Sequence, residues 1–334
     1  MDDPTQPDGH APTEDQLEAI RASEPDPLGL MDVMELIAPE ARVTGWSRLH
    51  GGFGAAMHRV EVTMPSGART AFVLRRYLPE LGDDGRVATR TAATLEGLRG
   101  SVVRAPEVLW LDADGRVFHR PALAMTLLPG RLRSADVPTD PAVLAGLAQA
   151  LVQLQWVPVD EGFDHLPAYP DLDALLDPLR AAADDLPTSE VVDTRAVVDT
   201  VLGRAAGVEA APAGLCHGDF HVGNVLFHEG RVTGVVDWDH ARVADPRADV
   251  AYCAMDLALL AGPDAARAFL DEHARLRGPM PDEPWWRLWA ATRAFPDPLD
   301  WIPAWRAIGV EITPDEVTAR YVAWVDAAMA DLRG

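Results

Sequence analysis

Apolar residues recur with two different periods along this chain, and the change of period divides it. Between residues 28 and 37 they fall at Leu30, Met31, Met34 and Ile37, the spacing of one helix face, and Thr13 with Gln16 reads as a capping box opening a shorter helix before it. Strand-like stretches follow at 42–49, 58–64 and 69–77, with Pro65-Ser66-Gly67 as the turn between the second and third, which predicts an antiparallel meander. A helix over 86–98, a strand over 107–111, a turn at Asp112-Ala113-Asp114-Gly115 and an apolar run over 122–128, closed by Pro129-Gly130, complete one small α+β unit.

Beyond Pro129-Gly130 the period becomes helical, over 141–155, 172–183, 191–207, 246–260, 264–276, 283–294 and 314–332. One short β-rich island, 214–239, interrupts it. Residues 1–11 carry no apolar periodicity and read as a disordered tail. The expected organisation is an N-terminal lobe with leading helices over 12–128 and a helical C-terminal lobe over 129–334.

With 48% hydrophobic and 24% charged residues in 334, the chain can bury a globular core. Its net charge of −23 argues against a nucleic-acid partner, because phosphate-backbone affinity needs clustered basic charge. All 29 basic residues are Arg, and 33 of the 52 acids follow residue 128. The acidic excess serves solubility and equally suits attraction of a cationic substrate. Cys216 and Cys253 form no disulfide framework or metal-ligand spacing, which suggests a reducing, cytoplasmic setting. The N-terminus lacks the apolar core of a signal peptide, and no apolar run reaches the ~18 residues a membrane span needs.

The stretch from Leu215 to Leu226, followed by Val232 to Asp239, carries the candidate chemistry. Asp219 lies in a loop after a short strand, Asn224 comes five residues later at the start of another, and Asp237 ends the next. Mg²⁺ bridging nucleotide phosphates prefers carboxylate and amide oxygens, so Asn224 and Asp237 suit a metal and Asp219 suits a base for an attacking hydroxyl. Taken singly, each is also the kind of residue that satisfies backbone groups in a turn. The three together in strand-loop-strand-loop order are poorly explained that way.

His217-Gly218-Asp219 with Asn224 resembles the H-G-D-x-x-x-x-N catalytic loop of the aminoglycoside phosphotransferase-like small-molecule kinases. Asp237-Trp238-Asp239 resembles that family's metal-binding D-x-D/E segment, and Asp245-Pro246 with Asp249 its D-P-x-x-D helix start. The resemblance covers most of residues 40–330. It implies a bilobal protein-kinase-like α+β fold, with a small antiparallel-sheet N-lobe and a mainly helical C-lobe. It also implies Asp219 as catalytic base, Asn224 and Asp237 as Mg²⁺ ligands, His217 as loop support, Asp239 as a supporting residue and Asp249 as the anchor of the loop. The donor is then ATP, with GTP as the alternative, and the acceptor a hydroxyl of a small molecule.

Two further segments take roles from their position in that resemblance. In His50-Gly51-Gly52-Phe53-Gly54, the backbone of Gly51, Gly52 and Gly54 would approach phosphates closely, although a hairpin turn explains the glycines equally well. Arg75 falls where related kinases carry a phosphate-pairing Lys, and Met125 and Leu127 are placed as the hinge whose backbone meets the nucleotide base. Thr91 stands where the family commonly carries Glu, which raises an alternative: a catalytically weak pseudokinase that only binds nucleotide or ligand. A polypeptide acceptor is disfavoured by H-G-D in place of H-R-D and by the lack of an A-P-E segment.

Trp285, Trp286, Trp289, Trp301 and Trp305 cluster near the C-terminus, interleaved with Arg287, Arg293 and Arg306. They fill a core between helices or wall an acceptor pocket; on the second reading Trp286, Trp289, Arg293 and Trp301 are the substrate contacts. An aminoglycoside would want carboxylates and a macrolide a larger apolar surface, either of which would imply antibiotic resistance. Amino alcohols and sugars stay equally open.

Overall fold

In the computed structural model, which describes residues 13–49, 54–81, 84–137, 140–186 and 188–333, the Thr13 hydroxyl accepts the Gln16 N–H and the Gln16 side chain accepts the Thr13 N–H. That reciprocal box opens α1 (Glu14–Arg21); Asp26 caps α2 (Pro27–Ile37) through its carboxylate. The tail expected at 1–11 and the loop glycines Gly51 and Gly52 lie outside the described residues.

The chain divides into two compact units, residues 1–92 with 107–127 and residues 93–106 with 128–334. Residues 93–106 thus join the second unit, unlike the simple division expected at 128/129.

The first unit is built on an antiparallel sheet ordered β1-β2-β3-β5-β4. Its strands are β1 (Arg42–Leu49), β2 (Ala55–Thr63), β3 (Arg69–Tyr77), β4 (Val108–Asp112) and β5 (Ala122–Thr126), and α3 (Arg86–Gly97) intervenes between β3 and β4. Leu30, Val33 and Met34 of α2 pack on Val60, Val62, Phe72, Leu74, Ala122 and Ala124, which alternate along their strands toward one face. Each large side chain buried there contributes about 1.5–3 kcal/mol. Arg76, two residues from Leu74 on that face, donates to the carbonyls of Ser23 and Glu24 and so fastens the α1–α2 connection to the sheet. Arg75 points to the opposite face.

The second unit is mainly helical: α4 (Pro141–Leu154), α5 (Leu172–Ala182), α6 (Thr194–Arg204), α7 (Arg247–Ala261), α8 (Pro263–Arg277), α9 (Glu283–Ala291), α10 (Ile302–Ala307) and α11 (Pro314–Asp331). Helix α6 starts three residues later than its apolar pattern suggests, because the Asp193 side chain accepts the Ala196 N–H and fixes the cap. Helix α10, six residues long, is too short to register as a period. The expected β-rich island separates into two hairpin-sized pieces. Strand β6 (Gly214–Cys216) pairs with β9 (Arg242–Ala244), and β7 (Val225–His228) with β8 (Arg231–Val235). Helix α7 is buried on nearly every side, packed by α8, α9 and α11, so its polar residues answer to internal partners rather than to water. Among the described residues no helix is long and apolar enough to cross a membrane.

Candidate active site

The loop between β6 and β7 owes its shape to a carboxylate on α7. Asp249 is buried and accepts two backbone donors, His217 N–H at 2.6 Å and Gly218 N–H at 3.0 Å. Gly218 adopts φ +82°, and a Cβ there would overlap the carbonyl of His240. His217 ties the loop's other side: its Nε2 lies 2.9 Å from the Val236 carbonyl, and its Nδ1 accepts the Asp219 N–H at 3.3 Å. With Nδ1 accepting, Nε2 carries the proton. Burial pushes the imidazole pKa down, which keeps it neutral, and its ring lies 4.6 Å from that of Trp238.

That scaffold presents Asp219. One carboxylate oxygen accepts the Tyr252 hydroxyl at 2.8 Å; the other receives Asn224 Nδ2 at 3.2 Å and lies 3.6 Å from His221 Nε2. Burial by itself would raise the Asp219 pKa. The His221 imidazole, with His217 and Tyr252, outweighs it and holds the carboxyl well below the ordinary carboxylate range. Burial opposes charge on His221 too, yet Asp219, Asp256 and Asp237 raise its pKa to about 9. Asp256, buried on α7, accepts Trp305 Nε1–H at 3.1 Å; burial pushes its carboxyl up. His221 therefore holds its proton beside the Asp219 carboxylate, with the charge of Asp256 adding to the pull.

Asn224 and Asp237 lie at the same end of the β7–β8 hairpin, where Val225 pairs with Val235 and the Val236 N–H donates to the Asn224 carbonyl at 2.9 Å. Asn224 Nδ2 is occupied by Asp219, also reaching its main-chain carbonyl at 2.9 Å, which turns the amide oxygen the other way. Asp237, at φ +67°, holds the left-handed conformation that Asp tolerates better than most residues. One amide oxygen and one carboxylate make a hard, sparse donor set, suited to an ion that keeps water and phosphate oxygens as its remaining ligands. Among the described residues no cluster of three His, Cys, Asp or Glu forms a self-sufficient metal cage. Asp239 follows, half-buried, in the turn after Asp237.

Other candidates fall differently. Trp286 is completely buried and Trp289 is 5% exposed, each stacked edge-to-face in the Trp285-Trp286-Trp289 cluster, so both are core residues and not the substrate contacts expected. They lie on α9, whose residues 285–291 are all buried. Trp301 and Arg293, by contrast, flank Tyr252, the Trp301 ring at 6.0 Å and the Arg293 guanidinium at 5.9 Å from its centroid. In the first unit, Arg75 is buried on β3 with its guanidinium 4.9 Å from the Tyr77 ring; Met125 lies in β5, paired with Val73 and Val108, and Leu127 follows that strand. A Cβ at Gly54 would meet nothing within 4 Å, so no protein contact requires glycine there. Thr91 is buried on α3, and Glu96 is engaged with Arg99 at 3.4 Å on an exposed face.

Three residues at the site escaped the sequence reading: Tyr252, Asp256 and His221. A signal existed for the first two. Asp249, Tyr252 and Asp256 recur at i, i+3 and i+7 in an otherwise apolar helix, one polar face turned on the loop. His221, two residues after Asp219, was adjacent to the motif and simply not needed by it.

A family model described as the phosphotransferase enzyme family matches residues 45–295. Aminoglycoside phosphotransferase APH(4)-Ia superposes with a TM-score of 0.62 at 16% identity, over 91% of this chain and 99% of that one. The GDP and kanamycin complex of APH(2")-IIia gives 0.58 at 17% identity, over 91% and 99%. Acyl-CoA dehydrogenase family member 10 of Mus musculus is 33% identical over 88 residues, 26% of this chain, and the protein named acyl-CoA dehydrogenase IBR3 of Arabidopsis thaliana 45% identical over 47 residues, 14% of it. The matched segments span only 8% and 6% of those two relatives. With the fold shared across the solved structures and the family model covering residues 45–295, the chain belongs to the phosphotransferase enzyme family.

Proposed function

We propose that the chain is a small-molecule kinase that transfers the γ-phosphoryl group of ATP, or of GTP, to an alcohol. The observation that carries this reading is Asp219: an ionised carboxylate on a rigid loop, aimed by Tyr252 and Asn224, with the Asn224–Asp237 oxygen pair beside it. The bond between the acceptor oxygen and γ-phosphorus forms, the bond from γ-phosphorus to the β–γ bridging oxygen breaks, and the nucleoside diphosphate leaves with that oxygen. The hydroxyl proton passes to an Asp219 oxygen. A carboxylate held this acidic is a weak base; its contribution is to orient the hydroxyl, which suits a loose transition state in which proton transfer is late. Mg²⁺, held through Asn224 and Asp237, would neutralise charge on the phosphates.

In the first unit, Arg75 and the backbone at Gly54, Met125 and Leu127 are the proposed nucleotide contacts, with Gly51 and Gly52 proposed on the sequence alone. Solved relatives hold ADP or AMP-PNP with hygromycin B, and GDP with kanamycin, which supports a purine nucleotide donor without choosing the base. Nothing in the catalytic loop favours the silent alternative raised by Thr91. The test is ³¹P NMR of the products formed from ATP and Mg²⁺ with hydroxylated acceptors. A phosphate-ester resonance with stoichiometric ADP supports the reading; nucleotide binding with no ester from any acceptor counts against it.

A further inference from the structure

Among the second unit's arginines without a carboxylate partner, Arg242 and Arg293 are the two that lie near Asp219. Most guanidinium groups there are committed: Arg247 to Asp245 at 2.6 Å, Arg287 to Asp331, and Arg320 to the carbonyls of Leu259 and Leu260. Arg293 and Arg242 have no carboxylate within ion-pair distance and no side-chain hydrogen bond among the described residues, in a chain holding 52 acids against 29 arginines. Arg293 is exposed in the turn after α9; Arg242 is half-buried on β9, and its Nε is shielded from water without a partner. A donor shielded from water without a partner is costly, so such a group can take one from a ligand.

Arg242 stands opposite Cys216 in the β6–β9 pair, three residues before Asp219, and Arg293 is within electrostatic reach of both Arg242 and Asp219. Crowding by surrounding atoms and then the charge of Arg242 pull the Arg293 pKa down, while Tyr252, Asp219 and Asp249 pull it up. Arg293 sits over the Tyr252 ring whose hydroxyl donates to Asp219. The acids nearby already have internal partners: Asp249 two backbone N–H groups, Asp256 the Trp305 indole, Asp219 the His221, Tyr252 and Asn224 side chains. The uncommitted charge on this side of Asp219 is positive.

We infer that Arg242 and Arg293 form an oxyanion site for the acceptor, so that the molecule phosphorylated carries a carboxylate or phosphate near its hydroxyl and is not a polycationic aminoglycoside. The inference rests on the kinase reading for its substrate and on the Arg pair for its charge. Neighbouring guanidinium groups repel each other until an anion offsets their charge, and they bind carboxylate or phosphate oxygens through charge-assisted hydrogen bonds. Tyr252 and Trp301 supply apolar surface for the carbon skeleton.

The test compares acceptors in matched pairs: 3-hydroxybutyrate and 4-hydroxybutyrate beside their methyl esters, glycerol 3-phosphate beside glycerol, and kanamycin as the cationic control. Wild type should favour the anionic member at least tenfold in kcat/KM, the carboxylate and phosphate arms telling which oxyanion is used. Arg242→Gln and Arg293→Gln should each erode that preference about tenfold through KM, with Arg293→Lys keeping part of it. Equal use of acid and ester, or preference for kanamycin, overturns the inference. A second arm titrates the protein with sodium sulfate at constant ionic strength, followed by tryptophan fluorescence. If no alcohol is phosphorylated, the kinase reading fails and this arm alone decides: saturable quenching lost in Arg242→Gln upholds the oxyanion site. Identical titrations of wild type and the folded double variant overturn it.

Discussion

The Asp249 carboxylate accepts the Gly218 N–H at 3.0 Å across thirty-one residues of chain, so the first turn of α7 shapes the loop that presents Asp219. Its second oxygen takes the His217 N–H at 2.6 Å. Replacing Asp249 with Ala leaves both donors buried without acceptors, and the cost is about 1–3 kcal/mol for each. Urea denaturation of Asp249→Ala should therefore show a loss of several kcal/mol, and any folded fraction should turn over poorly because Asp219 is no longer aimed. A variant as stable and as active as wild type would remove Asp249 from this role.

Gly218 and Gly230 both have positive φ, +82° and +74°, but only Gly218 has a carbonyl where a Cβ would go. Gly230→Ala should cost about 1 kcal/mol, the strain of the conformation alone. Gly218→Ala carries that strain plus a backbone clash and should destabilise by several times as much, with loss of turnover. Equal losses in parallel denaturant titrations would show that the His240 carbonyl yields freely.

The sequence made the loop legible because its chemistry is compressed into consecutive residues: His217, Gly218, Asp219 and Asn224 sit within one turn and a strand start. The same holds for the sheet, where β1 and β3 fall at the expected bounds, 42–49 and 69–77. What stayed hidden depends on where a helix face turns. Trp286 and Trp301 are both tryptophans in one short span, yet residues 285–291 of α9 are all buried while Trp301 lies by Tyr252, a distinction set by tertiary packing. Pairing of β6 with β9 was hidden for a similar reason, since β9 lies beyond the hairpin its neighbours form.

That distinction is measurable. Trp286→Ala opens a large cavity in the aromatic cluster and should lower stability by about 3–5 kcal/mol. Trp301→Ala, at a half-exposed position, should cost much less stability and should act on acceptor KM. The reverse pattern, with Trp301 the more destabilising, would contradict the assignment of Trp286 to the core.

His273, buried on α8 with its Nε2 3.3 Å from Gln155 Nε2, is held neutral: burial and then Arg277 push its pKa down to about 4 from 6.5. The folded pKa lies below the unfolded one, so between these values the unfolded chain binds the additional proton. Its stabilising contribution, on the order of 3 kcal/mol, is whole above about pH 6.5 and is lost as the pH falls toward 4. His58 acts in the same direction, held at about 4 by burial, Arg76 and Arg48. Stability measured by urea from pH 7 to 4.5 should decline, and His273→Gln should flatten that decline; an unchanged slope would show that His273 is not the titrating group.

The central claim is that Asp219 orients the attacking hydroxyl. Its most direct test is Mg²⁺-dependent, acceptor-stimulated ADP release by wild type and Asp219→Asn, measured beside ATP affinity. The amide keeps the shape of the side chain and removes its charge, so turnover should fall by about 10²–10⁴-fold while ATP affinity stays within about twofold. Undiminished turnover in Asp219→Asn would contradict the claim.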